Sequence, residues 1–63
     1  MYYIAVTVGD MLKVVSDQND IPRTFNKLKK ARTFIDSRGY LEPRNPQIIE
    51  NIAEITGCFR VEL

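Results

Sequence analysis

Tyr2-Tyr3-Ile4-Ala5-Val6-Thr7-Val8-Gly9-Asp10-Met11-Leu12-Lys13-Val14-Val15-Ser16-Asp17 is the stretch whose reading decides the fold. Its first arm is rich in β-branched and aromatic residues and alternates, with Tyr2, Ile4, Val6 and Val8 on one side. Gly9-Asp10 is a turn signal, because glycine has no Cβ to forbid positive φ. Leu12 to Asp17 then reads as the returning strand. A two-residue turn would pair Val8 with Met11 and place Lys13 on the Ile4/Val6 face. A three-residue loop, Gly9-Asp10-Met11, would set Leu12 and Val14 beside Val8 and Val6, with Lys13 and Val15 opposite. A slip of one residue moves every side chain to the other face, so the continuous apolar pattern favours the longer loop. The second face, Tyr3, Ala5, Thr7, Lys13 and Val15, is not clearly polar. A two-fold homodimer through it, or through an open strand edge, is therefore one partner the sequence allows.

Beyond the polar break Ser16–Asp20, Pro22 marks the start of a helix, since its fixed φ suits the first turn and its missing N–H costs nothing there. Asp20 or Thr24 is placed to cap it. Phe25, Leu28, Ala31 and Ile35 form one apolar stripe, and Gly39 supplies the stop with Arg38 in the last turn. Tyr40 to Arg44 reads as a connector broken by Pro43. Asn45-Pro46 resembles a second helix start, and Ile48, Ile49, Ile52, Ala53 and Ile55 follow at helical spacing up to Gly57. A strand is the competing reading of residues 46–56, because isoleucine favours sheets. The adjacent Ile48 and Ile49 break strict alternation and tip the reading to helix. Cys58 to Leu63 alternates again, with Phe59, Val61 and Leu63 on one face of an edge strand.

The expectation is one α+β domain over residues 1–63, order β-β-α-α-β. A small antiparallel sheet, the N-terminal hairpin plus the C-terminal strand, packs against one or two helices. The expected core joins Ile4, Val6, Val8, Leu12 and Val14 to Phe25, Leu28, Ile35, Ile52, Phe59 and Val61.

At 63 residues a single core hides only about 60% of the surface of the unfolded chain. One cysteine excludes an internal disulfide, and one cysteine with no histidine cannot assemble the usual zinc ligand set. No cofactor is expected. The N-terminus lacks a basic segment and a cleavage site, and no apolar run nears the ~20 residues that span a bilayer. A lone Cys58 suits a reducing compartment and reads as a small buried apolar residue. The chain is thus expected to be a complete cytoplasmic protein without membrane partners.

Catalytic groups are scarce. General acid–base work most often uses histidine, and there is none. Asp17 and Asp20 are explained by turns and capping, and Glu50 and Glu54 by a solvated helix face. The glycines Gly9, Gly39 and Gly57 lie too far apart for a phosphate-cradling loop. The expectation is that the chain is not an enzyme.

Charge is more informative. The net +1 divides into −2 over residues 1–22, +5 over residues 23–44 and −2 over residues 45–63. On a wheel of 100° per residue, Arg23, Lys27, Lys30, Phe34 and Arg38 gather in one sector, away from the Phe25/Leu28/Ile35 stripe. Phe34 among four cations is either an exposed anchor for a partner or a core residue covered by basic stems. Arginine and aromatic residues are enriched at interface hot spots, and a basic surround selects an acidic partner. The same helix could meet nucleic acid, with the cations on phosphates and Phe34 on an unpaired base. Against that stand a pI of about 7.9, acidic flanks and the absence of a recognised binding motif.

The opening hairpin Met1 to Asp17 and the compact Lys27-Leu28-Lys29-Lys30-Ala31-Arg32-Thr33-Phe34-Ile35 helix, in so short a chain, give it the organisation of a known class. It resembles the small accessory proteins of bacteriophages and other mobile elements, in organisation rather than in a residue motif. That resemblance implies action without chemistry, by docking on a host protein and blocking or redirecting it; inhibitors of bacterial defence, including anti-CRISPR proteins, are one branch. Unlike acidic members that mimic DNA, this chain is nearly neutral. The leading expectation is a protein-binding modulator or inhibitor acting through Arg23, Lys27, Lys30, Phe34 and Arg38. The alternative is a small nucleic-acid binder using the same helix.

Overall fold

Glycine decides the register of the opening hairpin. In the computed structural model, which describes residues 1–61, Gly9 sits at φ 65° while Asp10 stays outside the left-handed region. That is the backbone pattern of a tight two-residue turn with glycine in the first position. Strands β1 (Tyr3–Val8) and β2 (Met11–Ser16) therefore pair antiparallel, Val8 opposite Met11 and Val6 opposite Lys13. The three-residue loop favoured by the hydrophobic pattern does not form. Lys13 and Val15 share a face with Ile4, Val6 and Val8, while Leu12 and Val14 join Ala5 and Thr7 on the other. Leu12 is accordingly exposed rather than part of the core. The turn wins because its twist matches that of the strands, and a lysine tolerates an apolar face by carrying its charge out on a long stem.

Two short strands flank the hairpin. β3 (Gln47–Ile49) runs antiparallel to β1, with Ile48 opposite Ile4, and β4 (Cys58–Arg60) runs parallel to β2, with Phe59 opposite Val15. The sheet order is β3-β1-β2-β4, so the sheet is mixed rather than wholly antiparallel. The class is α+β as expected, and the expected element order holds roughly. A 3-10 helix, Gly39–Arg44, stands as the second helical element, Pro43 included. The helix read over residues 46–56 is replaced at its start by β3. Adjacent Ile48 and Ile49 suit a strand here because both faces of the sheet are covered at its centre: Ala5 and Val14 on one side are buried like Ile4 and Val15 on the other. Asn45 does not cap a following helix; at φ 52° it closes the 3-10 helix, its N–H donating to the Glu42 carbonyl. Residues 50–57 then run from one edge of the sheet to the other, and Ile52 and Ile55 are half-buried on the way. Glu50 and Glu54 are exposed outside any helix.

Helix α1 (Leu28–Ser37) begins later than Pro22 promised. The sheet claims the intervening backbone. Arg23 N–H donates to the Val15 carbonyl at 3.0 Å, and Tyr2 and Phe25 exchange two bonds at 2.7 and 2.9 Å. Segment 22–25 is thus fastened to β2 and to Tyr2 just ahead of β1, with Pro22 bridged to Ser16. Neither Asp20 nor Thr24 caps α1: Lys27 holds the N-cap position without a side-chain bond, and Asp20 sits at φ 63° in the preceding turn. At the other end Arg38 is the C-cap residue rather than a member of the last turn.

The core joins Ile4, Val6, Val15, Ala31, Leu41 and Val61, with half-buried Val8, Phe25, Phe34, Ile35, Ile48 and Phe59 packed against it. Ala31, not Leu28, is the residue that α1 sinks into the sheet; Leu28 is 49% exposed. Cys58 is half-buried rather than buried, and its thiol donates to the Asp20 carbonyl at 3.5 Å. Leu63, expected on the inner face of the last strand, lies outside the described residues, and β4 itself ends at Arg60.

Candidate partner-binding face

Phe34 closes the second turn of α1, and its surroundings organise the basic face. The ring is half-buried and meets the Phe25 ring edge-on, centroids 5.3 Å apart at 63°, an arrangement favoured by the aromatic quadrupole. The Arg38 guanidinium lies 3.9 Å from the Phe34 centroid and that of Arg23 5.6 Å from it. Both distances fall within the range of cation–π attraction. Arg23 reaches the ring from the extended segment before α1, not from the helix, so the expected sector forms from two separate pieces of chain. Phe34 is therefore not a fully exposed anchor: one side of it belongs to the core and cations stand over the ring.

Small bonds steady this cluster. Arg38 Nη1 donates to Ser37 Oγ at 2.9 Å, and that hydroxyl donates to the Phe34 carbonyl at 3.0 Å. Arg23 Nε is buried without a hydrogen-bond partner among the described residues. Lys27 and Lys30 stand apart from the stack. Both are exposed and, with Lys29 and Thr33, line a shallow depression of about 390 Å³ on the outer side of α1. The structure thus sorts the five expected residues into an Arg23–Phe34–Arg38 stack and a lysine pair beside it.

The electrostatic contrast lies elsewhere on the surface. Among the described residues the single ion pair is Arg60 with Asp20: Nε to Oδ1 at 2.6 Å and Nη2 to Oδ2 at 2.8 Å. The hydrogen bonds from Arg60 hold the Asp20 carboxyl below its ordinary range, and Asp20 raises Arg60 in turn. Arg23, Lys27, Lys30 and Arg38 have no carboxylate within ion-pair distance among the described residues. A guanidinium stacked on a ring gives up its face but keeps its in-plane N–H donors, so the stack can hold a carboxylate or phosphate without losing its mount.

Sequence reading missed the Asp20–Arg60 pair, which joins residues 40 apart. Only the parallel pairing of β4 with β2 brings them together, and no local pattern announces it. It also missed Arg44, whose guanidinium lies 5.0 Å from the Phe59 ring centre. Among the described residues no cluster of three or more His, Cys, Asp or Glu could hold a metal ion, and no helix is long and apolar enough to cross a membrane. No protein-family model matches the chain, and neither a characterised protein nor a solved structure does.

Proposed function

We propose that this chain is a non-enzymatic protein-binding module that modulates a larger protein through the basic face of α1, centred on the Arg23–Phe34–Arg38 stack. The observation that carries this reading is the pooling of cations, without carboxylate partners among the described residues, around a ring that is itself anchored in the core. Arginine mounted on an aromatic combines the residue types enriched at interface hot spots with little side-chain entropy left to lose. The partner surface it fits is acidic, and Lys27 and Lys30 would raise the rate of encounter. The resemblance to small phage accessory proteins, which work by docking, points the same way. A nearly balanced net charge favours protein over nucleic acid.

The test is capture of partners from the native host by the wild-type protein and by Arg38→Glu, with and without nuclease. Recovery of one protein that survives nuclease and falls roughly tenfold or more with Arg38→Glu is the expected result. Loss of all recovery on nuclease treatment transfers the face to nucleic acid, and undiminished recovery by Arg38→Glu removes the stack from the interface.

A further inference from the structure

β4 ends the sheet, with β2 on one side and no strand on the other among the described residues. The peptide groups of a strand point alternately to its two sides. The Gly57 carbonyl accepts from Val14 N–H at 2.9 Å, and Val61 N–H donates to the Ser16 carbonyl at 3.0 Å. Both therefore point to β2, and the peptide groups of Phe59 point with them. The N–H and C=O of Cys58 and of Arg60 face outward, and no hydrogen bond meets these groups among the described residues. An edge of this kind is a template for another extended chain unless its side chains forbid one.

The flanking side chains decide which chain is admitted. Phe59 lies beside Val15 on the face that carries α1, while Cys58 and Arg60 lie beside Val14 and Ser16 on the other. Two cations accompany Phe59. Lys13 passes over Gly57: a Cβ there would come within 2.6 Å of Nζ and 3.7 Å of Cδ and Cε. Gly57 is outside the left-handed region, so its backbone does not call for glycine, and the missing side chain leaves the amine its path. Arg44, from the 3-10 helix, holds its guanidinium 5.0 Å from the Phe59 ring centre. Neither cation has a carboxylate within ion-pair distance among the described residues. On the opposite face Arg60 is already matched by Asp20 through two bonds, so no charge is left over there. Lys13, Phe59, Cys58 and Arg60 line one open depression. Since they come from both faces, it runs along the β4 edge and not over either face.

We infer that the open edge of β4 accepts an extended acidic segment of a partner protein as an added strand, its carboxylates toward Lys13 and Arg44 and an apolar residue on Phe59. The main-chain groups of Cys58 and Arg60 supply the pairing, and the two cations set the preference for acid. A second copy of this chain is the poorer occupant. Two β4 strands joined about a two-fold axis would gather Lys13 and Arg44 of both copies on one face of a three-residue joint. The cations that welcome an acidic strand thus repel the chain's own edge. This edge is separate from the basic face of α1 and does not depend on the role proposed for that face.

The experiment is a titration of the full chain with acetyl-Glu-Thr-Val-Thr-Glu-amide, followed by backbone amide shifts. When extended, this peptide carries both glutamates and the valine on one face. Saturable shifts centred on Cys58 and Arg60, at roughly millimolar affinity, are expected. N-methylation of both threonines keeps the charges but removes the donors that meet the Cys58 and Arg60 carbonyls, and binding should fall at least tenfold. Glutamine in place of both glutamates should weaken binding roughly fivefold. Lys13→Gln should weaken the glutamate peptide about twofold and leave the glutamine peptide unchanged; if that variant fails to fold, the peptide series on the wild-type protein decides. Undiminished binding of the N-methylated peptide, shifts centred on α1, or no saturable shift would overturn the added strand. Equal affinity for the glutamine peptide would overturn the acidic partner. Shifts at Cys58 and Arg60 that follow protein concentration before any peptide is added would give the edge to a second copy and overturn the assignment.

Discussion

Arg60 and Arg38 put the same chemical group to opposite uses. Arg60 on β4 gives its guanidinium edge to Asp20 in a two-bond pair, which ties the last strand to the turn after β2. Arg38 at the end of α1 gives its flat face to Phe34, and no carboxylate meets its edge among the described residues. The first arrangement closes a contact within the chain. The second leaves in-plane donors for another molecule while holding them still. Counted as charges, the two arginines are alike; only the partner each one takes separates a closed ion pair from a ring-mounted cation. That difference is the reason for proposing a basic interface on α1 rather than at the Asp20–Arg60 pair.

The largest test of the contrast is the ring beneath Arg38. Phe34 is half-buried against Phe25 and the core, so Phe34→Ala should cost about 2 kcal/mol, below the 3–5 kcal/mol of a fully buried phenylalanine. For a domain of this size that lowers Tm by roughly 10 °C, measured by thermal unfolding. Phe34→Leu should recover most of that stability without restoring the stacked guanidinium. An unchanged Tm in Phe34→Ala would mean that the ring does not reach the core and gives Arg38 no rigid mount.

Next in size is the stack itself. Arg38→Ala removes a cation–π contact of about 0.5–1 kcal/mol, a loss of a few degrees in Tm. Arg38→Lys should recover only part of it, since an ammonium lacks the planar fork. Because a stacked contact is partly dispersion and partly desolvated, this loss should persist in high salt, where an exposed ion pair is screened. A loss that vanished in salt would put Arg38 in the same class as Arg60.

The same opposition between local pattern and distant partner decides what was legible in the sequence. The hairpin, a helix containing Phe34 and the α+β class were legible because each is written in contiguous residues. The hairpin register was misread because hydrophobicity argued for a longer loop, while Gly9 at φ 65° imposes a two-residue turn. Residues 46–56 were misread because helical spacing and a strand covered on both faces give the same adjacent isoleucines; the free edge of β1 settles it for Ile48 and Ile49. Pro22 misled in the same way, since the bonds from Arg23 and Phe25 to the sheet delay the helix to Leu28. At the candidate face, Phe34 and Arg38 share a helix and were readily grouped. Arg23 was grouped with them for the wrong reason, because an extended segment and not a helical turn carries it to the ring. The pairing of Asp20 with Arg60 had no local signal, because only β4 brings the two together.

The smallest effect belongs to Asp20, and it tests the other half of the comparison. Its carboxyl titrates below its ordinary value because Arg60 donates hydrogen bonds to the charged form. A group whose folded pKa is depressed stabilises the fold above its unfolded pKa, and that stabilisation fades as pH falls through the folded value. Asp20→Asn should therefore be slightly less stable than wild type at neutral pH, with the gap closing as the pH is taken below about 4. Both side chains are exposed, so the gap should also shrink in high salt. Asparagine tolerates the left-handed φ of 63° as aspartate does, so the substitution changes charge without adding backbone strain. Denaturant unfolding of both proteins across pH reads the result. A gap that survives at pH 2 would mean that the turn, not the ion pair, is what Asp20 supports. The matching expectation for Arg38 is a contribution flat across the same range, because the ring beneath it has no proton to take up.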